Sequence, residues 1–102
     1  MSMLHLVNKS PFEKNSLKVA ISCALNKSAI LMIEDGVYGA VSDAKHSDMV
    51  KTAMNKSDFY VLKEDTQARG IDESKIIDGI QLVDYAGFVE LSTKYDKIQS
   101  WV

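Results

Sequence analysis

Ala29-Ile30-Leu31-Met32-Ile33-Glu34-Asp35-Gly36-Val37-Tyr38-Gly39-Ala40 is the stretch whose reading decides the fold. Ala29 to Ile33 is an unbroken apolar run. Its length and lack of alternation suit a strand buried on both faces, as in the middle of a parallel sheet. Glu34 and Asp35 then stop it, because two carboxylates cannot continue into a dry interior without partners. Gly36 permits a turn closed to other residues. Val37, Tyr38 and Ala40 resume an apolar pattern, compatible with a short helix whose first turn carries the acids, where the helix dipole favours negative charge. Sites in open α/β sheets gather at the carboxyl ends of strands. This turn is therefore the first place to look for a functional surface, and the plain alternative is an acidic turn that connects and caps.

Upstream, Met3-Leu4-His5-Leu6-Val7 reads as a first strand. A helix follows that starts at Ser10-Pro11 or, equally, with Asn15 or Ser16 as its cap. Leu17, Ala20, Ile21, Ala24 and Leu25 fall at i, i+3, i+4, i+7 and i+8, the spacing of an amphipathic helix, which Asn26-Lys27-Ser28 ends. Downstream, residues 42–57 are polar, with Met49, Val50, Ala53 and Met54 marking a helix. Asp58-Phe59-Tyr60-Val61-Leu62-Lys63 is a strand rich in aromatic and β-branched residues. Residues 64–70 form a short helix stopped by Gly70, and 71–75 a surface connection. Ile80-Gln81-Leu82-Val83-Asp84 is a further strand, residues 85–95 a further helix, and residues 97–102 a last short strand. Strands alternate with helices almost throughout. That order predicts a three-layer α/β/α fold with a mostly parallel sheet of about five strands.

The 102 residues make one domain, 1–102, with 46% hydrophobic and 25% charged residues, ordinary for a soluble globular protein. A net charge of −2, with twelve scattered Lys and Arg, leaves no basic surplus for direct nucleic-acid binding. No stretch reaches the roughly 20 apolar residues of a membrane span, and the first residues lack a signal-peptide plan. A cytoplasmic protein is expected. One cysteine, Cys23, excludes an internal disulfide and a Cys-rich metal site, and His5 and His46 do not fall into a metal-ligand spacing. No cofactor is implied, and no Gly-rich phosphate loop follows any strand.

Cys23 is the only strong nucleophile. With the core face of the first helix at Leu17, Ile21 and Ala24, the 100° step points Cys23 about 120° away from it. Ser16, Val19, Ala20 and Cys23 then form a second stripe, small and partly apolar, that a partner subunit could cover. The alternative is a cysteine that serves as a small hydrophobe at the core edge. Lys27 is the cation that could favour the thiolate. His5, among leucines, reads as a buried, hydrogen-bonded histidine. Asp84 ends a strand much as Asp35 does. Trp101 is either tucked against the sheet edge or an interface anchor.

Several segments together resemble the DsrH/TusB family: His5-Leu6-Val7-Asn8-Lys9-Ser10-Pro11-Phe12, Ile33-Glu34-Asp35-Gly36-Val37-Tyr38, Tyr60-Val61-Leu62 with Ala68-Arg69-Gly70, Val83-Asp84-Tyr85-Ala86-Gly87-Phe88-Val89, and Gln99-Ser100-Trp101. The resemblance runs from end to end and looks closer to the dissimilatory DsrH branch than to TusB. It implies a DsrEFH-like fold and a subunit of a heterohexamer of three related proteins, DsrE, DsrF and DsrH, or TusD, TusC and TusB. Such complexes pass sulfane sulfur as cysteine persulfide. In one branch it goes to the DsrC protein and cytoplasmic sulfur oxidation. In the other it passes through TusA- and TusE-like carriers to the 2-thiouridine of the tRNA wobble position. The principal sulfur-carrying cysteine of the family lies on DsrE or TusD, so this chain is not expected to be catalytic alone. Dissimilatory members can carry a cysteine where Ala20 stands here. Cys23, one helical turn later, is then the candidate persulfide acceptor, or the chain is a chemically silent structural subunit. Tyr38 and Trp101 join Ser16, Val19 and Ala20 as candidate partner-facing residues.

Overall fold

In the computed structural model, which describes residues 3–24 and 28–101, five strands form one sheet. They are β1 (Met3–Val7), β2 (Ala29–Met32), β3 (Asp58–Leu62), β4 (Gln81–Val83) and β5 (Lys97–Trp101). Their order is β4-β3-β2-β1-β5 and every pairing is parallel. β2 lies in the middle, with Leu31 opposite Leu6 on one side and Tyr60 on the other. All four of its residues are buried, as the unbroken apolar run predicts.

Alternation along the strands sorts the side chains onto two faces. Val7, Ile30, Met32, Phe59 and Val61 belong to one core, shared with Leu17, Ala20, Val37, Ala40, Val50 and Ala53. That face is covered by α1 (Ser16–Cys23), the 3-10 helix Glu34–Ala40 and α2 (Ser47–Ala53). Leu4, Ala29, Leu31 and Tyr60 form the second core with Leu91 and Tyr95. A single long helix, α4 (Tyr85–Lys94), covers it. It connects β4 to β5, strands at opposite edges of the sheet, so it crosses beneath the strands between them. This second layer is thin. Tyr85, Val89 and Ile98 are 56%, 61% and 48% exposed.

The three-layer expectation therefore holds, with differences in detail. Ser10-Pro11 heads a turn and not the helix: Glu13 and Lys14 donate their amides to the Ser10 carbonyl at 3.1 and 3.0 Å, and Asn15 takes the cap position of α1. The helix ends at Cys23, whereas the apolar spacing runs on to Leu25. Leu25, Lys27 and Val102 lie outside the described residues. The helix after the acidic turn is a 3-10 helix, and α3 (Lys63–Ala68) is followed by Gly70 at φ +68°.

Gly36 is required for a different reason than the one expected. The left-handed residue in that turn is Glu34, at φ +49°. Gly36 instead lies against β1. A Cβ there would collide with the Val7 carbonyl oxygen, approach the Val7 carbonyl carbon to 2.7 Å and reach the Asn8 Cα at 3.3 Å.

Candidate functional site

The carboxyl ends of β2, β3 and β4 carry Glu34, Asp35, Glu64, Asp65 and Asp84, and most of these acids hold the chain together. Asp65 Oδ2 accepts the Glu34 amide at 2.6 Å. Arg69 donates Nε to Asp35 Oδ1 at 3.0 Å and Nη1 to the Asp65 carbonyl at 3.2 Å, fastening the 3-10 helix to α3. Glu64 Oε2 accepts the Tyr85 amide at 3.2 Å, and Asp84 caps α4 by accepting the Gly87 amide at 2.8 Å. The capping reading of the acidic turn accounts for these contacts. Arg69, the cation that makes the rim possible, carried no local signal in the sequence beyond its place in the family motif. Among the described residues no cluster of three or more His, Cys, Asp or Glu could hold a metal ion.

Cys23 lies at the other end of the molecule. In a parallel strand-helix-strand unit the helix runs back from the carboxyl end of one strand to the amino end of the next. The last residue of α1 therefore sits toward the amino ends of the strands, away from the acidic rim. Its thiol is exposed. The Ala24 amide closes the helix on the Ile21 carbonyl at 3.3 Å, after which the chain is extended.

The stripe Ser16–Val19–Ala20–Cys23 is not one surface. Ala20 is fully buried in the first core and Ser16 is 8% exposed, so α1 packs through Ser16, Leu17 and Ala20. Ile21 and Ala24, placed on the core face by the wheel, are only partly buried at its margin. Ser16 and Ala20 are thus corrected from partner-facing to inward-facing. Val19 and Tyr38 are half-buried.

Trp101, half-buried at the end of β5, stands opposite Val7 on β1. Its indole Nε1–H donates to His5 Nδ1 at 3.0 Å, with ring centroids 6.1 Å apart and planes inclined by 30°. His5 is the buried, bonded histidine that the strand pattern predicts. Burial pushes its pKa below the ordinary 6.5.

A groove that the sequence did not disclose lies where α1 and α2 begin, above the carboxyl ends of β1 and β2. It encloses about 480 Å³ and is lined by Phe12, Lys14, Lys18, Lys45, His46 and Met49, among others. One wall is the turn after β1, where the Phe12 amide donates to Ser10 Oγ at 3.2 Å. The other is the turn before α2, fixed by Ser47, whose hydroxyl accepts the Ala44 amide at 2.9 Å and donates to the Val41 carbonyl at 3.1 Å. Phe12, 65% exposed, meets the His46 ring edge-on at 5.3 Å. His46 is 9% exposed. Burial lowers its pKa, and the Tyr38 and Gly39 carbonyls oppose that shift.

A family model described as DsrH like protein matches residues 9–98. Protein TusB of Buchnera aphidicola (subsp. Acyrthosiphon pisum, strain 5A) is 35% identical over 99 residues, covering 97% of this chain and 100% of that one. Protein TusB of Pectobacterium parmentieri is 30% identical over 100 residues, with the same coverage of both chains. Among solved structures, the ychN protein of E. coli matches with a TM-score of 0.79 at 18% identity over 99% of each chain. Protein Tm0979 of Thermotoga maritima matches with a TM-score of 0.66 at 23% identity, over 92% of this chain and 93% of that one. At those identities the structural likeness bears on the fold alone.

Proposed function

The chain belongs to the DsrH-like family, and from that premise we propose that it is a TusB-type subunit of a cytoplasmic sulfur-relay complex. The complex hands persulfide sulfur toward the 2-thiouridine of the tRNA wobble position, and this chain works beside TusC- and TusD-like subunits and TusE- and TusA-like carriers. The observation that carries the reading is the 35% identity to a protein TusB along that protein's whole length. It reverses the order expected from the motifs, which put dissimilatory sulfur oxidation first. Likeness across 97% of the chain outweighs matches in a few short segments. The exposed Tyr85, Val89 and Ile98 on the thinly covered face support a chain that works with neighbours. No helix among the described residues is long and apolar enough to cross a membrane.

Within the relay, Cys23 is the acceptor. Its thiolate attacks the outer sulfur of a partner's cysteine persulfide. A new S–S bond forms on Cys23, the donor's S–S bond breaks, and the donor cysteine leaves as thiolate, with no net oxidation. Such exchange needs a thiol that another protein can reach, and Cys23 is exposed at a helix end.

Intact mass measurement of the co-purified complex, after incubation with a persulfide donor, tests this. The chain is expected to gain sulfur that reduction removes, and Cys23→Ser to abolish the gain while changing stability by no more than about 0.5 kcal/mol. Sulfur on a partner subunit alone would make this chain a docking subunit whose cysteine is silent. Failure to co-purify with TusC- and TusD-like chains would remove the relay reading altogether.

A further inference from the structure

Phe12, Lys14 and Lys18 come from the turn after β1 and the first turn of α1. Lys45, His46 and Met49 come from the turn before α2 and from α2 itself. Distant in sequence, they share one groove because β1 and β2 are adjacent and parallel, so the segments that leave them rise at the same edge of the sheet. Ligands of open α/β sheets bind at that edge. The volume, about 480 Å³, is that of a small-molecule site.

The lining has one chemical character. The lining carries three lysines against a single carboxylate, Glu13, and the two ion pairs of Arg69 involve none of them. The eight-residue helix α1 starts here with no side-chain cap and no acid in its first turn, leaving the positive end of its dipole uncompensated. His46 lines the same groove, its buried ring beside the Tyr38 and Gly39 carbonyls. A solvated lysine face needs none of this. Beside the charges, Phe12 leaves about two-thirds of its surface in water and Met49 is half-buried, so the groove also offers apolar area.

We propose that this groove binds a small organic phosphate, its phosphoryl group among Lys14, Lys18, Lys45 and the start of α1, its organic part against Phe12 and Met49. Lysines suit the first role as point charges directed at phosphate oxygens. They take the place of the Gly-rich loop this sequence lacks. The site is independent of the sulfur relay, since Cys23 lies toward the opposite end of the strands.

Titrating the full chain with inorganic phosphate and with phenyl phosphate, followed by NMR, tests the proposal. The chain has two histidines, so the His46 ring signals separate readily from those of His5, which sits in the sheet beside Trp101 and serves as the control. Phenyl phosphate should shift signals of Phe12, Lys45, His46 and the first turn of α1 while His5 stays fixed. It should bind roughly tenfold more tightly than inorganic phosphate. Phe12→Ala should erase that advantage, and Lys14→Gln, Lys18→Gln and Lys45→Gln combined should weaken both ligands by at least about tenfold, in a chain whose unfolding midpoint is unchanged. Three results overturn the proposal: no shift at these residues, binding that survives the triple substitution, or an oligoglutamate peptide that binds more tightly than either phosphate. The last would make the groove a docking place for an acidic segment.

Discussion

Gly36→Ala is expected to destabilise the chain by about 3 kcal/mol or more, at or beyond the upper end of what overpacking usually costs. The new methyl group would occupy the place of the Val7 carbonyl. That carbonyl cannot simply move aside, because it accepts the Ile33 amide at 3.0 Å and belongs to a strand paired on both sides. Gly70→Ala is the matched comparison. Gly70 has φ +68° and nothing within 4 Å of an added Cβ, so its substitution carries only backbone strain, about 1 to 2 kcal/mol. Urea unfolding of both variants should rank Gly36→Ala well below Gly70→Ala. Equal midpoints would show that β1 yields easily, and that the close approach of the acidic turn to β1 is not a constraint. For a domain with 5 to 15 kcal/mol of stability in all, roughly 3 kcal/mol is a substantial share.

Stability should also fall as the solution is acidified below about pH 6.5, the ordinary histidine value. Both His5 and His46 have folded pKa values lowered by burial. Below pH 6.5 the unfolded chain therefore binds protons that the folded chain does not, and folding loses free energy until the folded values are passed. Each histidine contributes a slope of up to about 1.4 kcal/mol per pH unit. For His5 a hydrogen bond acts in the same direction as burial. Its Nδ1 must keep a lone pair to accept the Trp101 indole N–H at 3.0 Å, and protonation would set two N–H groups against each other. Trp101 is the sole tryptophan, so its emission reports the event directly. Denaturant midpoints should be level near neutral pH and decline below about 6.5. His5→Gln should remove one histidine's share of the slope. An acid response unchanged by that substitution would assign the whole effect elsewhere.

The features legible in the sequence were those whose causes are local. A strand buried on both faces cannot alternate, so Ala29 to Met32 announced its place at the centre of the sheet. Asp84 precedes its helix directly, and Gly70 ends one. What could not be read depended on residues far apart in the chain. Gly36 is small because of a carbonyl on β1, and Asp35 is held by Arg69 from the following strand-helix unit. The helical wheel places the core of α1 on Leu17, Ile21 and Ala24, but the buried residues of the helix lie in its first half. Ser16 and Ala20 are buried while Cys23, nearly in line with Ser16, emerges past the covered part of the sheet. Three lysines scattered through the sequence gave no hint of a basic groove, because only the adjacency of β1 and β2 brings them together.

The pairing of β1 with β5 bears on how the chain is made. Met3 of β1 is matched with Lys97 of β5, the longest separation in the sheet, while β1, β2, β3 and β4 pair in the order in which they are synthesised. A growing chain on the ribosome can therefore assemble four strands by adding each to the last. Throughout that time the outer side of β1, with its unpaired amides and carbonyls, stays open, and an open strand edge is a template for joining other chains. Only when β5 emerges is that side covered, and His5 gains its indole partner in the same step. A nascent chain that stalls after α4 would have most of its hydrophobic core and open strand edges on both β4 and β1, a state suited to capture by chaperones or by its own copies on the same polysome.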